Sequence, residues 1–318
     1  MGLIGTSLGM ALRNANDKES PLGPITVTGY DQNSRNSTEA RGRLAIDRIA
    51  KTLDEAIADA QIVVVAVPVQ AVREIFQAIG MKLKSGVVVT DVASTKSQVM
   101  AWAREFLPNT VDFIGGHPMA GRERSGPEAA DATLFQDTIY CVTSTPQTRP
   151  HAFDAINALI QQIGAKPYYV EPFEHDTYVA GVSHLPFVLS TLLVEATSRS
   201  AGWKEMSPLA ATGFRDISRL ASGDPVMHRD ICLTNRDAII RWIDETFTIL
   251  HELRATLDTN NAETLLAWFE HARTTRETWL AARPNLRPGE EDFQAMNRLL
   301  DERPSMFGRM FGGRRERK

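Results

Sequence analysis

Two cysteines, Cys141 and Cys232, are all that this 318-residue chain contains. They stand far apart and form no CxxC, so the sequence encodes neither a disulfide framework nor a zinc site. No metal is expected, and two buried thiols in a reducing, cytoplasmic setting is the reading that follows. Long apolar runs are also lacking. The most apolar stretch, residues 62–69, is short of a bilayer span and reads as a buried strand, so no membrane partner is expected. The N-terminus has no basic segment followed by an apolar one, so a secretory leader is not expected. Positive charge is not in excess: 35 Lys and Arg against 39 Asp and Glu leave a formal charge of −4. That balance argues against a nucleic-acid partner. The basic end, Arg314 to Lys318, reads as a solvated tail.

What is present is a sizeable core and a regular alternation. Hydrophobic residues make up 43% of the chain, which is enough for a core and argues against disorder. Strand signals at 25–30, 62–67, 87–91, 113–115, 138–143 and 167–170 alternate with helix signals at 5–16, 37–43, 53–59, 70–79, 97–106 and 150–163. This predicts an α/β domain, a doubly wound, mainly parallel sheet covered on both faces. From residue 172 only helical periods occur, with long stretches at 184–200, 230–256 and 262–282. The expected organisation is a dinucleotide-binding domain over 1–171 and a helical substrate-binding and dimerisation domain over 172–318. The Pro- and charge-rich stretch 283–291 reads as a loop.

Gly2-Leu3-Ile4-Gly5 supplies the last two glycines of a GxGxxG turn, with a helix directly after it. Glycines let the backbone approach a pyrophosphate, and the helix N-terminus offers unpaired N–H groups. The same residues fit a loose myristoylation pattern, but the turn uses them better. Asp31 closes the next strand and can accept hydrogen bonds from a ribose diol. A carboxylate there repels a 2′-phosphate, so NAD is favoured over NADP, with Arg35 nearby keeping NADP open. Val67-Pro68 ends a strand where such sheets face the cofactor. The first glycine of the turn and the first, central strand would lie before Met1. Because an unfilled central slot strands backbone groups, the physiological chain is expected to begin some ten residues earlier.

Gly115-Gly116-His117-Pro118-Met119-Ala120-Gly121 places a histidine in a Gly- and Pro-rich loop at the far end of this half. Imidazole is the side chain suited to accept a proton there near neutral pH. Ser94, after the strand ending in Asp91, can bond substrate or nicotinamide, or it can cap the following helix, as Asp91 or Thr95 also can. Lys96 reads as solvated or as an attractor of an anionic substrate. His175-Asp176 and Ser183-His184 sit in apolar surroundings, His184 reading as a core histidine, a helix cap or a pocket group. Arg215 and Arg219, four apart, share a helix face and can hold a carboxylate or pair internally with Asp216, Asp224 or Asp230.

In order, GLIGTSL, ITVTGYD, DVASTK, GGHPMAGRERSG, GVSHLP, GFRDISR and GDPVMHRDICLTN resemble the prephenate and arogenate dehydrogenases of tyrosine biosynthesis, over roughly residues 1–280. The resemblance implies a Rossmann-like domain lacking its first strand here, bound NAD, and a cytoplasmic homodimer. It implies oxidative decarboxylation of a cyclohexadienol to an aromatic product. It makes His117 the catalytic histidine that accepts the hydrogen bond of the ring hydroxyl, with Ser94 supporting that contact. Arg219 becomes the anchor for a substrate carboxylate, and Ser183 and His184 belong to the substrate pocket. Some members carry histidine after SHLP where this chain has Phe187, which leaves prephenate or arogenate open. A fused chorismate mutase and a regulatory domain are not expected, so tyrosine inhibition would act at the active site. Two alternatives remain at this stage. One is another nicotinamide-dependent dehydrogenase of a hydroxy or imino acid, which the lack of lysine in 176–200 opposes. The other is a cofactor-binding protein without turnover.

Overall fold

A computed structural model describes residues 1–14, 21–122 and 124–282. The 283–291 loop and the basic tail lie outside the described residues, as does the end of the 5–16 helix. Contacts divide the chain into two compact units, Met1–Thr248 and Ile249–Lys318.

In the first unit, β1 (Thr28–Gly29) and β2 (Arg48–Ile49) form a parallel pair. A five-stranded sheet follows in the order β3 (Ile62–Val65), β4 (Val88–Asp91), β5 (Asp112–Pro118), β6 (Ile139–Thr143), β7 (Lys166–Tyr169). β3, β4 and β5 run parallel; β6 is antiparallel to β5, with His117 opposite Cys141, and parallel to β7. No described strand joins the two sheets.

The helices of this half are α1 (Leu3–Asn14), α2 (Ser34–Gly42), α3 (Leu53–Ile57), α4 (Val69–Ile79), α5 (Ser97–Phe106) and α6 (Pro150–Gln162). The period-2 alternation of the strands sends successive residues to opposite faces. Val89 packs with Val72, Phe76 and Trp102 of α4 and α5, whereas its neighbour Val88 packs with Leu8, Ile156 and Leu159 of α1 and α6. Burying both faces is why these strands read as continuous apolar runs.

Next come α7 (Pro172–Val179), a π-turn over Ala180–His184, and α8 (Leu185–Ser198). Pro186 has no N–H to give the preceding turn, and the wider turn absorbs that loss. Gly181 is required within it: a Cβ there would meet the Trp242 ring at 2.6 Å. This rod, Pro172–Ser198, is apolar and long enough to cross a membrane by length and composition alone. The sequence reading missed that because His175, Asp176 and His184 interrupt its apolar runs. All three are buried among protein groups.

The remaining helices are α9 (Trp203–Met206), α10 (Thr212–Ser218), α11 (Pro225–Thr234), α12 (Arg236–Asp258) and α13 (Ala262–Ala282). The single helix expected over 230–256 is divided at Asn235. Ala180, Phe187, Ile231, Ala238 and Ile239 form the small core of this helical part. The expected boundary after residue 171 falls inside the first unit, where α7 packs on α5 and α11 on α4. In the second unit, α13 exposes Leu266, Trp268, Phe269 and Trp279.

Candidate active site

The parallel sheet aims the carboxyl ends of β3 and β4 at one place, where open α/β sheets bind ligands. The glycine turn stands beside it. α1 starts at Leu3, and its first intrahelical bond runs from Thr6 N–H to Gly2 O at 3.0 Å. The amides of Leu3, Ile4 and Gly5 therefore have no acceptor within the helix, as any first turn dictates, and can face an anion. Gly5 lets α1 lie on the sheet side, where its Cβ would stand 3.3 Å from Ala66. Asp31 follows β1. Its Oδ1 accepts from Asn33 N–H at 2.8 Å and its Oδ2 from the Met1 ammonium at 2.6 Å. Burial resists its ionisation, but these donors outweigh it and hold the carboxyl below the usual carboxylate range. Val67 and Pro68 link β3 to α4. This set of groups fits a dinucleotide: amides for phosphate and an ionised carboxylate for a ribose diol.

His117 lies on β5 itself rather than in a loop. Its position is fixed by pairing with Cys141, and it is buried. Its Nδ1 stands 2.9 Å from His175 Nε2, and His175 Nδ1 stands 2.9 Å from Asp176 Oδ1. Burial opposes ionisation of Asp176, and the His175 ring with the backbone N–H groups of Lys96 and Ser97 reverses that, lowering its pKa. An ionised Asp176 fixes the whole row. It accepts the proton-bearing Nδ1 of His175, so His175 Nε2 must accept from His117 Nδ1–H. His117 Nε2 is then left as a bare lone pair, the form a general base requires. Burial, then the neighbouring His175 and Lys96, hold His117 well below the ordinary imidazole range, so it stays neutral.

The sequence reading singled out His175 and Asp176 but gave them no role. The carboxylate also does what Asp91, Ser94 and Thr95 were offered for. The N-cap of α5 is Lys96, without a side-chain cap bond of its own helix. Asp176 of α7 caps it instead, accepting from Lys96 N–H at 2.7 Å and Ser97 N–H at 2.8 Å. No local signal reveals a cap supplied some 80 residues downstream. Ser94 is half-buried in the β4–α5 loop, its hydroxyl unbonded among the described residues.

Lys96 departs from both readings given to it. It is fully buried. Its Nζ donates to Asp91 Oδ2 and, at 2.6 Å, to the Gly116 carbonyl. It is therefore neither solvated nor placed to attract an anion from outside.

His184, in the π-turn beside half-buried Ser183, is fully buried. Asn235 Nδ2 donates to the Asp176 carbonyl at 2.7 Å and to His184 Nδ1 at 3.1 Å. His184 Nδ1 is thus the acceptor and Nε2 carries the proton. Among the described residues that Nε2–H has no partner. A buried donor left unpaired costs about 1–3 kcal/mol, so a ligand oxygen reaching this N–H would recover that cost. Burial lowers the His184 pKa to about 4, with Asp176 opposing. The folded protein thus refuses a proton that the unfolded chain takes up below about pH 6.5. Stability present above that pH is lost as pH falls toward 4, by on the order of 3 kcal/mol. Melting temperature is expected to drop between pH 7 and 4, and less so in His184→Gln. A flat parental profile over that window would contradict the assignment.

Arg219 opens the turn after α10 rather than sharing one helix with Arg215, and both are exposed. Arg215 pairs with Asp216 at 3.3 Å, Asp224 caps α11, and Asp230 pairs with Arg229 at 2.6 Å. Phe187 stacks flat on His228, with centroids 4.2 Å apart. Cys141 is buried and Cys232 only half-buried, both free, which corrects the expectation of two buried thiols. Among the described residues no His, Cys, Asp and Glu group could hold a metal.

Comparison with known proteins places this geometry. Residues 18–169 match the family model described as prephenate dehydrogenase, nucleotide-binding domain. Residues 171–271 match prephenate dehydrogenase, dimerization domain. The chain is 31% identical to prephenate dehydrogenase of Bacillus subtilis, over 87% of this chain and 74% of that one. Prephenate dehydrogenase from Aquifex aeolicus, solved with hydroxyphenyl propionate and NAD+, superposes with a TM-score of 0.79 at 26% identity. That match covers 87% of this chain and 95% of the other. Synechocystis arogenate dehydrogenase gives a TM-score of 0.73 at 27% identity, over 87% and 97% of the two chains.

Proposed function

The chain belongs to the prephenate dehydrogenase family, and from that premise we propose how its own residues carry out the NAD-dependent oxidative decarboxylation of prephenate or arogenate. The observation that carries the reading is the row Asp176–His175–His117, which leaves one basic imidazole nitrogen on β5 beside the cofactor end of the sheet. NAD, when bound, supplies the acceptor for the hydride of the carbinol carbon. Gly2, Leu3, Ile4 and Gly5 hold its phosphates, Asp31 its adenosine ribose, and Val67-Pro68 flank it. His117 Nε2 accepts the hydrogen bond of the ring hydroxyl, and the proton with it, as that carbon becomes carbonyl-like. His175 and Asp176 stabilise the resulting imidazolium. Carbon dioxide leaves the ring carbon opposite, its bonding electrons enter the ring, and the phenol oxygen takes the proton back. Because aromatisation drives the step, the protein need mainly orient the substrate and steer one proton. His184 Nε2–H and Ser183 contact substrate oxygens, Ser94 supports the hydroxyl contact, and Arg219 anchors a carboxylate.

The helical half over 172–318 serves as the dimerisation and substrate domain of a cytoplasmic homodimer, supported by the family model over 171–271. In the first unit, α12 exposes Ile240, Trp242 and Phe247, apolar surface suited to a second copy. Purified protein given NAD and prephenate, and separately arogenate, tests the reaction by NADH absorbance. Turnover of neither substrate would refute it, and the ratio of the two rates settles side-chain preference.

Two variants test the binding assignments. Asp31→Ser removes the charge that repels a 2′-phosphate and should narrow the NAD-to-NADP preference; a parent that already prefers NADP overturns the role of Asp31. Arg219→Lys keeps the charge but loses the planar fork. KM for substrate should rise about tenfold, modest because an exposed guanidinium is screened. Unchanged KM with a lower melting temperature would make Arg219 structural.

A further inference from the structure

We propose that Lys96 is the positioning residue of this site, one side chain and one amide that together hold both ends of the row from Asp176 to His117. The proposal rests on reading His117 as the base.

At one end, the Lys96 backbone N–H grips Asp176 Oδ1 at 2.7 Å. Asp176 in turn dictates the tautomers of His175 and His117. At the other end, Lys96 Nζ reaches under β5 and donates to the Gly116 carbonyl at 2.6 Å, one peptide before His117. The same ammonium is paired with Asp91, whose Oδ1 accepts from Gly116 N–H at 3.1 Å and whose Oδ2 accepts from Ala93 N–H at 2.9 Å. Both polar groups of Gly116 are therefore clamped from β4 and the β4–α5 loop. Wherever that peptide is held, the His117 backbone is held with it.

The sequence makes room for this clamp. A Cβ on Gly115 would stand 3.1 Å from Lys96 Cδ and 2.3 Å from Thr143 Oγ1. On Gly116 it would meet the Asp91 carbonyl at 2.5 Å and Tyr140 Oη at 2.6 Å. The two glycines before His117 are thus the space through which the lysine stem and the tyrosine ring pass. A fully buried Lys–Asp pair is a poor way to gain stability, since apolar side chains of similar volume serve as well or better. What it adds is directed hydrogen bonds, and here they end on the peptide next to the base.

The charge has a second consequence. The groups facing His117 are His175 and Asp176 from α7, His184 from the π-turn, Lys96 and Asp91 from the β4 end, and Cys141 across β6. A nearby ammonium resists protonation of His117, and removing it eases that protonation.

Two variants test the proposal. Lys96→Met removes donor and charge; Lys96→Gln keeps an N–H for the Gly116 carbonyl but removes the charge. Lys96→Met should lower kcat by about ten- to a hundredfold, the loss of one charge-assisted hydrogen bond, with Kd for NAD within a few-fold. Lys96→Gln should recover part of kcat. In both, the acid limb of kcat should move to higher pH. Should Lys96→Met fail to fold, Asp91→Asn/Lys96→Met, which buries no charge, replaces it for the kcat measurement. A structural lysine would lower melting temperature while kcat per folded site and the acid limb stayed parental, and that result overturns the proposal. His117→Ala separates the two failures. If it is inactive while the Lys96 variants are parental, only the role of Lys96 falls. If it is active, the reading of His117 falls first.

Discussion

His117→Ala lowers kcat by about 10²–10⁴, the usual worth of a positioned general base, and leaves Kd for NAD nearly unchanged. The size follows from the absence of a substitute. His175 is the nearest imidazole, but its Nε2 already faces His117 and its Nδ1 is committed to Asp176. His184 presents a proton rather than a lone pair. The pH dependence carries a sign. The neutral ring is the proposed base, and burial, then the neighbouring His175, Lys96 and His184, depresses its pKa. Parental kcat should therefore hold its plateau below pH 6.5 and fall only in more acid solution. His117→Ala should lack that limb. Stopped-flow NADH formation against pH, with NAD binding followed by protein fluorescence, measures both. Near-parental turnover in the variant would remove His117 from the chemistry.

His175→Phe is expected to lower kcat by about ten- to a hundredfold, with KM changed much less. Phenylalanine fills the buried volume and keeps the edge-on ring contact with His117, whose centroids lie 5.1 Å apart. What it removes is the acceptor for His117 Nδ1–H. The His117 proton is then free to sit on Nε2, the wrong nitrogen, and the imidazolium formed in the reaction loses its partner. One charge-assisted hydrogen bond, about 1.5–3 kcal/mol, sets the range. Because the imidazolium exists only during reaction, the effect belongs in kcat. Nitrogen NMR of the His117 ring reports the tautomer without turnover. A parental kcat and an unchanged ring tautomer would reduce His175 to a packing residue.

Much of the fold was legible because both faces of the sheet are buried by nearby sequence. The run at 62–65 and the run ending at Asp91 are recognisable as strands since their neighbours on each side supply the covering helices. α5 and α13 begin and end where their periodicity says. Two elements were misjudged for local reasons. Asn235 divides the long helical stretch after 225, and its side chain is drawn to the Asp176 carbonyl and the His184 ring. His117 was placed in a loop because glycine and proline surround it, yet pairing with Cys141 makes that segment strand.

The sequence by itself determined the alternation of strand and helix, the glycine turn with its carboxylate at Asp31, and which histidine is proposed as the base. Each of these is a local pattern, written within one strand or one turn. Only the tertiary structure decided how that histidine is held with a free ring nitrogen. Asp176 reads as one polar residue in an apolar helix until α7 lies across the start of α5, and Lys96 reads as solvated until β5 is laid over it. Tautomer, depressed basicity and fixed position all arise from groups 20 to 80 residues apart in the chain. Short-range periodicity carries no record of such pairs, because hydrogen bonds across a fold are set by where packed elements meet.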